Sequence, residues 1–489
     1  MSDTVSRRNF MKAAGATAGV AIATGYSPFS YAQNEKVRVG CIGTGGQGSY
    51  HVRDGLLGCP DVDIVAVCDV YRPHQENGFK LAWLSNAGIL LEAGDTGLTA
   101  AQQERLDRAV QPARYFDYRE MLAKEQLDAV VIATPLHTHY QMIMDALSSG
   151  CHVFSEKTMC YEIDQARDVV KKSHETGKFV QVGHQRRYNP LYNRAVNLAW
   201  NEGVLGRVNH IDCQWHRNND WRRPLPDRRL SPQEAKFIRD LEKHLNWRLY
   251  NESSRGLMTE LATHQLDIAS WFLDAMPKRV YGYGGLDYWR DGREVDDHVN
   301  VIYEYEITPE SRGYYAINAR NDQQDKLRIN EPYKVCVVYS SITANAKKGC
   351  SELIQGDEGS FELTEDGGYF FREPTSKVKW ASSSSAQAAS QQNATVITSG
   401  GTLQLSNKAQ QQGDPIVVDN TKSIDQLQFQ AFAYYIRNGG APKSNVMVGL
   451  RSTILGLAGY IAMAERREVE IDPAWYTFDF PTPDPSVVS

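Results

Sequence analysis

Residues 37–48 constrain this chain more than any other stretch. Val37, Val39, Cys41 and Ile42 make a short apolar strand that runs straight into Gly43, Gly45 and Gly48, a Gly-x-Gly-x-x-Gly turn. In such a turn the first glycine permits a tight bend, the second lets a pyrophosphate approach the backbone, and the third lets the next helix pack close to the strand. Backbone N–H groups then face the phosphates, here those of Gly45, Gly46 and Gln47. A second apolar strand spans 62–68 and ends at Asp69, twenty-one residues after Gly48. A carboxylate there accepts hydrogen bonds from an adenosine ribose and repels a 2′-phosphate. The expectation is a dinucleotide-binding βαβ unit that prefers NAD to NADP, with Arg72 leaving some room for the phosphate.

The segment before this strand reads as an export leader, residues 1–32. Arg7 and Arg8 form a twin-arginine pattern, an Ala/Gly-rich apolar run follows over 13–24, and Ser30 and Ala32 make a small-residue cleavage site. The run is too short for a membrane span, and twin-arginine signals are read by a receptor rather than serving as anchors. The reading is a periplasmic mature protein beginning near Gln33, exported by the twin-arginine (Tat) machinery and carrying no membrane anchor. The formal net charge is −6; Arg7, Arg8 and Lys12 against Asp3 make the leader +2, so the remainder carries −8. No basic face points to nucleic acid. Eight scattered cysteines form no C-x-x-C pair, and Cys41 and Cys68 fall in core strands. His137 and His139 have no third ligand nearby, so no metal is expected.

Two domains are expected. Over 33–185, strands at 37–42, 62–68, 127–133, 152–155 and 179–182 alternate with helices at 139–149 and 163–176, the pattern of a parallel doubly wound α/β sheet. An insertion over 71–114, with a helix at 100–109, interrupts it. Over 186–475 the strand-like runs 208–215, 280–289, 299–305, 314–319 and 335–339 indicate a large, mainly antiparallel open sheet in an α+β domain. An apolar helix at 257–273 precedes most of these strands, and two more helices, at 424–438 and 449–467, close the fold. A polar, low-complexity loop at 381–413 reads as mobile, and 476–489 as a tail. No internal repeat is evident.

Four blocks, in order, resemble the glucose–fructose oxidoreductase/inositol dehydrogenase (Gfo/Idh/MocA) family. They are the glycine loop with Asp69; the A-T-P segment of Ala133, Thr134 and Pro135 with His139; the G-x-H-V-x-x-E-K block with Gly150, His152, Glu156 and Lys157; and the helix block of Glu260, His264 and Asp267. Thr158 stands where the family has proline, and Glu260 where it has aspartate. The resemblance implies a Rossmann domain, an open-sheet domain that often serves oligomerisation, and a sugar-like substrate between them. It places Thr134, Pro135, His139, Glu156 and Lys157 with the cofactor, and Lys157, Glu260 and His264 at the reacting hydroxyl.

Oxidising a secondary alcohol removes a hydride and a proton. A histidine such as His264 suits the proton, and a cation such as Lys157 favours the developing alkoxide. Glu260 and His264, four residues apart on a helix, should share a face, so that the carboxylate orients the imidazole. Arg187 and Tyr188, and the Trp221 and Arg222 pair within the aromatic and basic run 215–223, are candidates for sugar contacts; the run reads equally as a charged strand end. The functions left open are an NAD-dependent sugar or polyol dehydrogenase, a glycosidase using bound NAD transiently with Tyr188 or His184 as extra acid or base, and a sugar-binding protein with a vestigial cofactor site.

Overall fold

A computed structural model describes residues 36–91, 97–315, 331–364, 367–373, 413–418 and 422–488. The leader and residues 381–412 of the polar loop lie outside the described residues. Six parallel strands build the first sheet: β1 (Val37–Ile42), β2 (Val62–Cys68), β3 (Ala113–Tyr115), β4 (Ala129–Ile132), β5 (His152–Ser155) and β6 (Val180–Val182). Their order is β3-β2-β1-β4-β5-β6. The order reverses between β1 and β4, so a crevice opens at their carboxyl ends, the usual ligand position in such sheets. Every residue of β4, β5 and β6 is buried, as strands covered on both faces require.

Helices α1 (Gly46–Tyr50), α2 (Arg72–Asn86), α3 (Ala100–Arg108), α4 (Tyr118–Lys124), α5 (His139–Ser148) and α6 (Ile163–Thr176) surround this sheet. The stretch expected as an insertion is the ordinary crossover from β2 to β3. Helix α2 carries it and is hidden in the sequence, because it buries little beyond Gln75, Gly78, Ala82 and Leu84.

Among the described residues the second sheet has nine strands: β7 (Val208–His216), β8 (Pro277–Gly285), β9 (His298–Ile307), β10 (Tyr333–Ile342), β11 (Cys350–Gly356), β12 (Gly359–Thr364), β13 (Gly368–Arg372), β14 (Asp414–Pro415) and β15 (Val469–Glu470). Their order is β14-β13-β12-β11-β7-β10-β9-β8-β15. Only β7 and β10 run parallel; the other pairs are antiparallel. The strand expected at 314–319 is absent at Tyr314 and Tyr315, and 316–319 lie outside the described residues.

The remaining helices are α7 (Pro190–Asn197), α8 (Leu241–Leu245), α9 (Thr263–Leu273), α10 (Ile424–Asn438) and α11 (Val446–Glu465). One face of the second sheet packs on α9 and α11. Val299, Val301, Tyr303 and Tyr305 alternate inward along β9 and are fully buried. Tyr303 donates to the Leu455 carbonyl of α11 at 2.7 Å, and Tyr305 lies 2.8 Å from Ser270 Oγ of α9. Helix α11 has the length and hydropathy of a membrane span, but 83% of its apolar window is buried inside the fold. Helix α10 packs elsewhere. Its Phe429, Phe432 and Ile436 join Val37, Val39, Phe154 and Phe179 in the core of the first sheet. The chain therefore returns to its first half after building the second sheet. All eight cysteines are free thiols.

Candidate active site

The glycine loop is crowded on one side and open on the other. Gly43 has φ +82°, and a Cβ there would stand 2.6 Å from the Ala133 carbonyl oxygen. A Cβ on Gly48 would lie 1.9 Å from the Gly43 carbonyl oxygen. At Gly45 it would meet only the His74 ring at 3.4 Å, and at Gly46 only the Arg223 guanidinium, 3.1 Å from Nη2. A turn closed against its own backbone but open at Gly45 and Gly46 fits a dinucleotide, which Gly45, Gly46 and Gln47 would hold. Asp69 ends β2 beside this loop. It accepts the Thr44 N–H at 2.8 Å and the Tyr71 N–H at 2.9 Å. Burial raises its pKa, and these two hydrogen bonds oppose the rise.

Loops after β4 and β5 form the next wall. His139, buried at the start of α5, has Nδ1 2.9 Å from the Thr158 carbonyl and Nε2 2.8 Å from the Thr134 carbonyl. Burial lowers its pKa; the neutral ring has one N–H, so one of the two carbonyls accepts from it, and His139 packs between the two loops. Thr134 takes a hydrogen bond from Thr138 Oγ1 at 2.8 Å, and the Pro135 carbonyl accepts the Thr138 N–H at 2.9 Å. Glu156 accepts the Lys157 N–H at 3.0 Å and pairs with His51 Nε2 at 2.7 Å. Burial pushes Glu156 up, but the hydrogen bond and charge of His51 outweigh it and hold the carboxyl below its usual value. His51 Nδ1 stands 3.6 Å from Asp425 of α10. Burial would lower this imidazole; the carboxylates on either side lift it to about 9.

Lys157 projects from this wall and donates to the Glu260 carbonyl at 2.6 Å. The Lys157–Thr158 peptide is cis, and Thr158 Oγ1 donates to the Thr259 carbonyl at 2.7 Å. Burial lowers the Lys157 pKa, Arg248 and Arg217 lower it further, and Glu260 and Glu156 oppose them. His264 stands one turn beyond Glu260, at the start of α9. It is 6% exposed. Its ring lies 5.5 Å from Trp215 and 5.9 Å from His184, centroid to centroid. Neither ring nitrogen has a hydrogen-bond partner among the described residues. Burial, then the charges of Lys157, Arg186 and His184, hold its pKa well below the usual value. These same influences favour the neutral form of the ring.

Other expected site residues have different work. Glu260 does not reach His264; its carboxylate pairs with Arg248 at 2.9 Å and accepts from Ser254 at 3.2 Å. The cause is a π turn over Met258–Ala262, whose wider spacing breaks the four-residue register of an α-helix. Glu260 thus positions Lys157 through its carbonyl. Arg187 is buried and forked onto Asp267 at 2.8 and 2.7 Å, above the Trp271 ring, so it is not a sugar contact. The Tyr188 hydroxyl is buried 3.2 Å from Ser444 Oγ. Arg222 is consumed by Asp291 at 3.0 Å and by Glu242. Trp221 lies 5.3 Å beneath the Arg217 guanidinium. From the same run it is Trp215, also 5.2 Å beneath Arg217, that reaches His264. His51 and Asp425 escaped sequence reasoning because each is distant in the chain from Glu156, and Arg248 because it lies twelve residues before Glu260 with no motif of its own.

A nucleotide crevice at the end of β1, with a lysine and a neutral histidine from two domains beside it, defines a dinucleotide-dependent oxidoreductase. The chain belongs to the Gfo/Idh/MocA family. Residues 37–184 match its "Oxidoreductase family, NAD-binding Rossmann fold" and residues 194–330 its C-terminal domain. An inositol 2-dehydrogenase of Rubrobacter xylanophilus is 27% identical over 57% of this chain and 70% of its own length. A glycosyl hydrolase family 109 protein of Shewanella baltica is 27% identical over 44% of this chain and 47% of its own length. The chain thus spans about half the length of that second relative. The aldose–aldose oxidoreductase of Caulobacter crescentus, solved with glycerol, shares the fold at TM-score 0.59 and 14% identity, over 89% of this chain and all of the other.

Proposed function

We propose that the protein is an exported, NAD-dependent oxidoreductase acting on a secondary hydroxyl of a sugar, sugar derivative or polyol. One observation carries the reading: the first domain brings the Lys157 ammonium to the turn that presents His264, whose ring nitrogens have no protein partner among the described residues. When bound, the nicotinamide supplies the hydride acceptor. His264 takes the hydroxyl proton, and Lys157 stabilises the alkoxide from which the hydride departs. Glu156 and His51 fix the backbone that presents Lys157.

Asp69 supports NAD over NADP. The inositol dehydrogenase relatives support a polyol or sugar substrate, among them a scyllo-inositol 2-dehydrogenase (NAD(+)) of Bacillus subtilis, 26% identical over 51% of this chain. The twin-arginine leader supports export to the periplasm. The exposed Tyr281, Tyr283 and Ile302 on the outer face of the second sheet support a homo-oligomer. Denaturing the purified protein should release NAD, identified by chromatography, and the mature N-terminus should lie near Gln33. Release of NADP would overturn the nucleotide assignment, and absence of oxidation across a panel of sugars and inositols would overturn the substrate class.

A second reading is an NAD-dependent glycoside hydrolase that oxidises a sugar carbon, eliminates the leaving group and reduces the product. It is favoured by the family 109 relative and by the His184 ring beside His264.

A further inference from the structure

The segment 217–256 joins β7 to the turn that carries Glu260, and it lies against the nucleotide-binding domain. Glu234, with a fully buried side chain, accepts the Arg72 N–H at 3.0 Å. Arg228 forks onto the same carboxylate at 2.9 and 2.6 Å. The Arg228 guanidinium lies 5.1 Å over the Tyr71 ring, and the His244 ring of α8 is 6.2 Å from that tyrosine. Tyr71 and Arg72 follow Asp69 at the end of β2. The segment is therefore strapped to the rim of the dinucleotide crevice.

Arg222 and Arg223, neighbours in this strap, have different surroundings. Arg222 is bound by two carboxylates. Arg223 is fixed through its backbone: its N–H donates to Asn246 Oδ1 at 2.6 Å, and Asn246 Nδ2 donates to its carbonyl at 3.2 Å. Asn246 is itself buried. So anchored, the side chain reaches back to the glycine loop, with Nη2 3.1 Å from the Cβ position of Gly46. No carboxylate or carbonyl among the described residues takes this guanidinium, and the charge that acts on it is another cation, Arg248. The residue is exposed to solvent, and its guanidinium lies over a loop with no side chain between it and an approaching anion.

We propose that Arg223 is a ligand of the dinucleotide pyrophosphate, supplied by the second domain, and that the 217–256 strap retains the nucleotide across many turnovers. A planar guanidinium matches two phosphate oxygens, which a lysine does not. The inference rests on the glycine loop being the dinucleotide site and adds a residue and a kinetic consequence to it. The nucleotide leaves only when the strap lifts, which breaks the Glu234 bonds to Arg72 and Arg228 together with the Arg223 contact. Retention of this kind suits an enzyme that reoxidises its cofactor in place with a second substrate.

The test uses the full mature protein loaded with NADH. An excess of NAD is added, and release is followed by the loss of nicotinamide fluorescence. Arg223→Ala should accelerate release about ten- to a hundredfold, the range for loss of a hydrogen bond to a charged group. Arg223→Lys, which keeps the charge and loses the fork, should fall between Arg223→Ala and wild type. Glu234→Gln should accelerate release without touching the glycine loop, and Arg229→Ala, an exposed neighbour, should not change it. A wild type that binds NADH while Arg223→Ala and Arg223→Lys release it at the wild-type rate overturns this proposal alone. A wild type that binds no nucleotide overturns the dinucleotide reading, and this proposal with it.

Discussion

His264 and His51 are both buried, yet burial wins at one and carboxylates win at the other. His264 has cations for neighbours and a pKa well below 6.5; His51 lies between Glu156 and Asp425 and is lifted to about 9. The first consequence is catalytic. If His264 is the base, as proposed, the acid limb of the kcat/KM profile should lie below pH 6.5, because its pKa is depressed. His264→Ala and Lys157→Ala should each lower turnover about 10²–10⁴-fold while leaving NAD binding close to wild type by calorimetry. Near wild-type rates in both variants, or an acid limb above pH 6.5, would remove them from the mechanism. The second consequence concerns stability. A group with a raised folded pKa contributes fully below its unfolded value, near 6.5, and that contribution is lost as pH rises through about 9. Wild type should therefore lose about 3 kcal/mol more than His51→Gln between pH 6 and pH 9.5 in chemical denaturation. Equal losses in the two proteins would mean that His51 is not held protonated.

Helix α10 shows what an element can do far from its place in the chain. Phe429 packs against Phe154, ring centroids 4.5 Å apart, and a Cβ on Gly55 would come 2.4 Å from the Phe429 ring. Phe429→Ala should cost about 3–5 kcal/mol. Gly55→Ala should be destabilising alone but nearly neutral in the Phe429→Ala background, since the ring that blocks the new methyl is gone. Additive effects in the double variant would contradict this packing. The sequence could not reveal this contact, because nothing in 424–438 says which sheet its aromatic face meets. Most of the first sheet was legible for the opposite reason: strands buried on both faces read as near-continuous apolar runs, as β4 does, whereas the short, half-buried β3 leaves no such run and fell at the end of the expected insertion. In the second sheet β11, β12 and β13 mix Glu, Gln, Ser and Gly with apolar residues and leave no such signal. At the site, the motifs named Lys157 and His264, and the fold brings the lysine to the turn that leads to the histidine. The role of Glu260 was not, because a helical register assumed across 260–264 meets a π turn. The candidate sugar contacts Arg187 and Tyr188 failed for a related reason: a polar side chain beside a motif is as easily the partner of a buried Asp267 or Ser444.

At the scale of the whole molecule, the site exists only where the two halves meet. Lys157 comes from the parallel sheet, His264 from a helix against the open sheet, and the Glu260 carbonyl joins them at 2.6 Å. This bears on the choice between dehydrogenase and glycosidase. Elimination requires, besides the hydride-transfer machinery, a base for the proton beside the transient carbonyl and an acid for the leaving group. The two nearby candidates are both committed. His184 lies 2.8 Å from Ser452 Oγ, is fully buried and is lowered to about 4, burial being the main cause. Tyr188 is tied to Ser444, and burial raises its phenol. Hydride transfer needs only Lys157 and His264, which are in place. The protein should therefore oxidise a sugar or inositol once per bound NAD, giving a single burst of NADH fluorescence that stops until an oxidant is supplied. With aryl glycosides and no added NAD it should release no aryl group beyond background, and the sugar should gain no deuterium from heavy water. Many turnovers of aryl release without net redox change, with deuterium entering the carbon beside the oxidised one, would reverse the assignment. They would also require His184 or Tyr188 to leave its present partner during turnover.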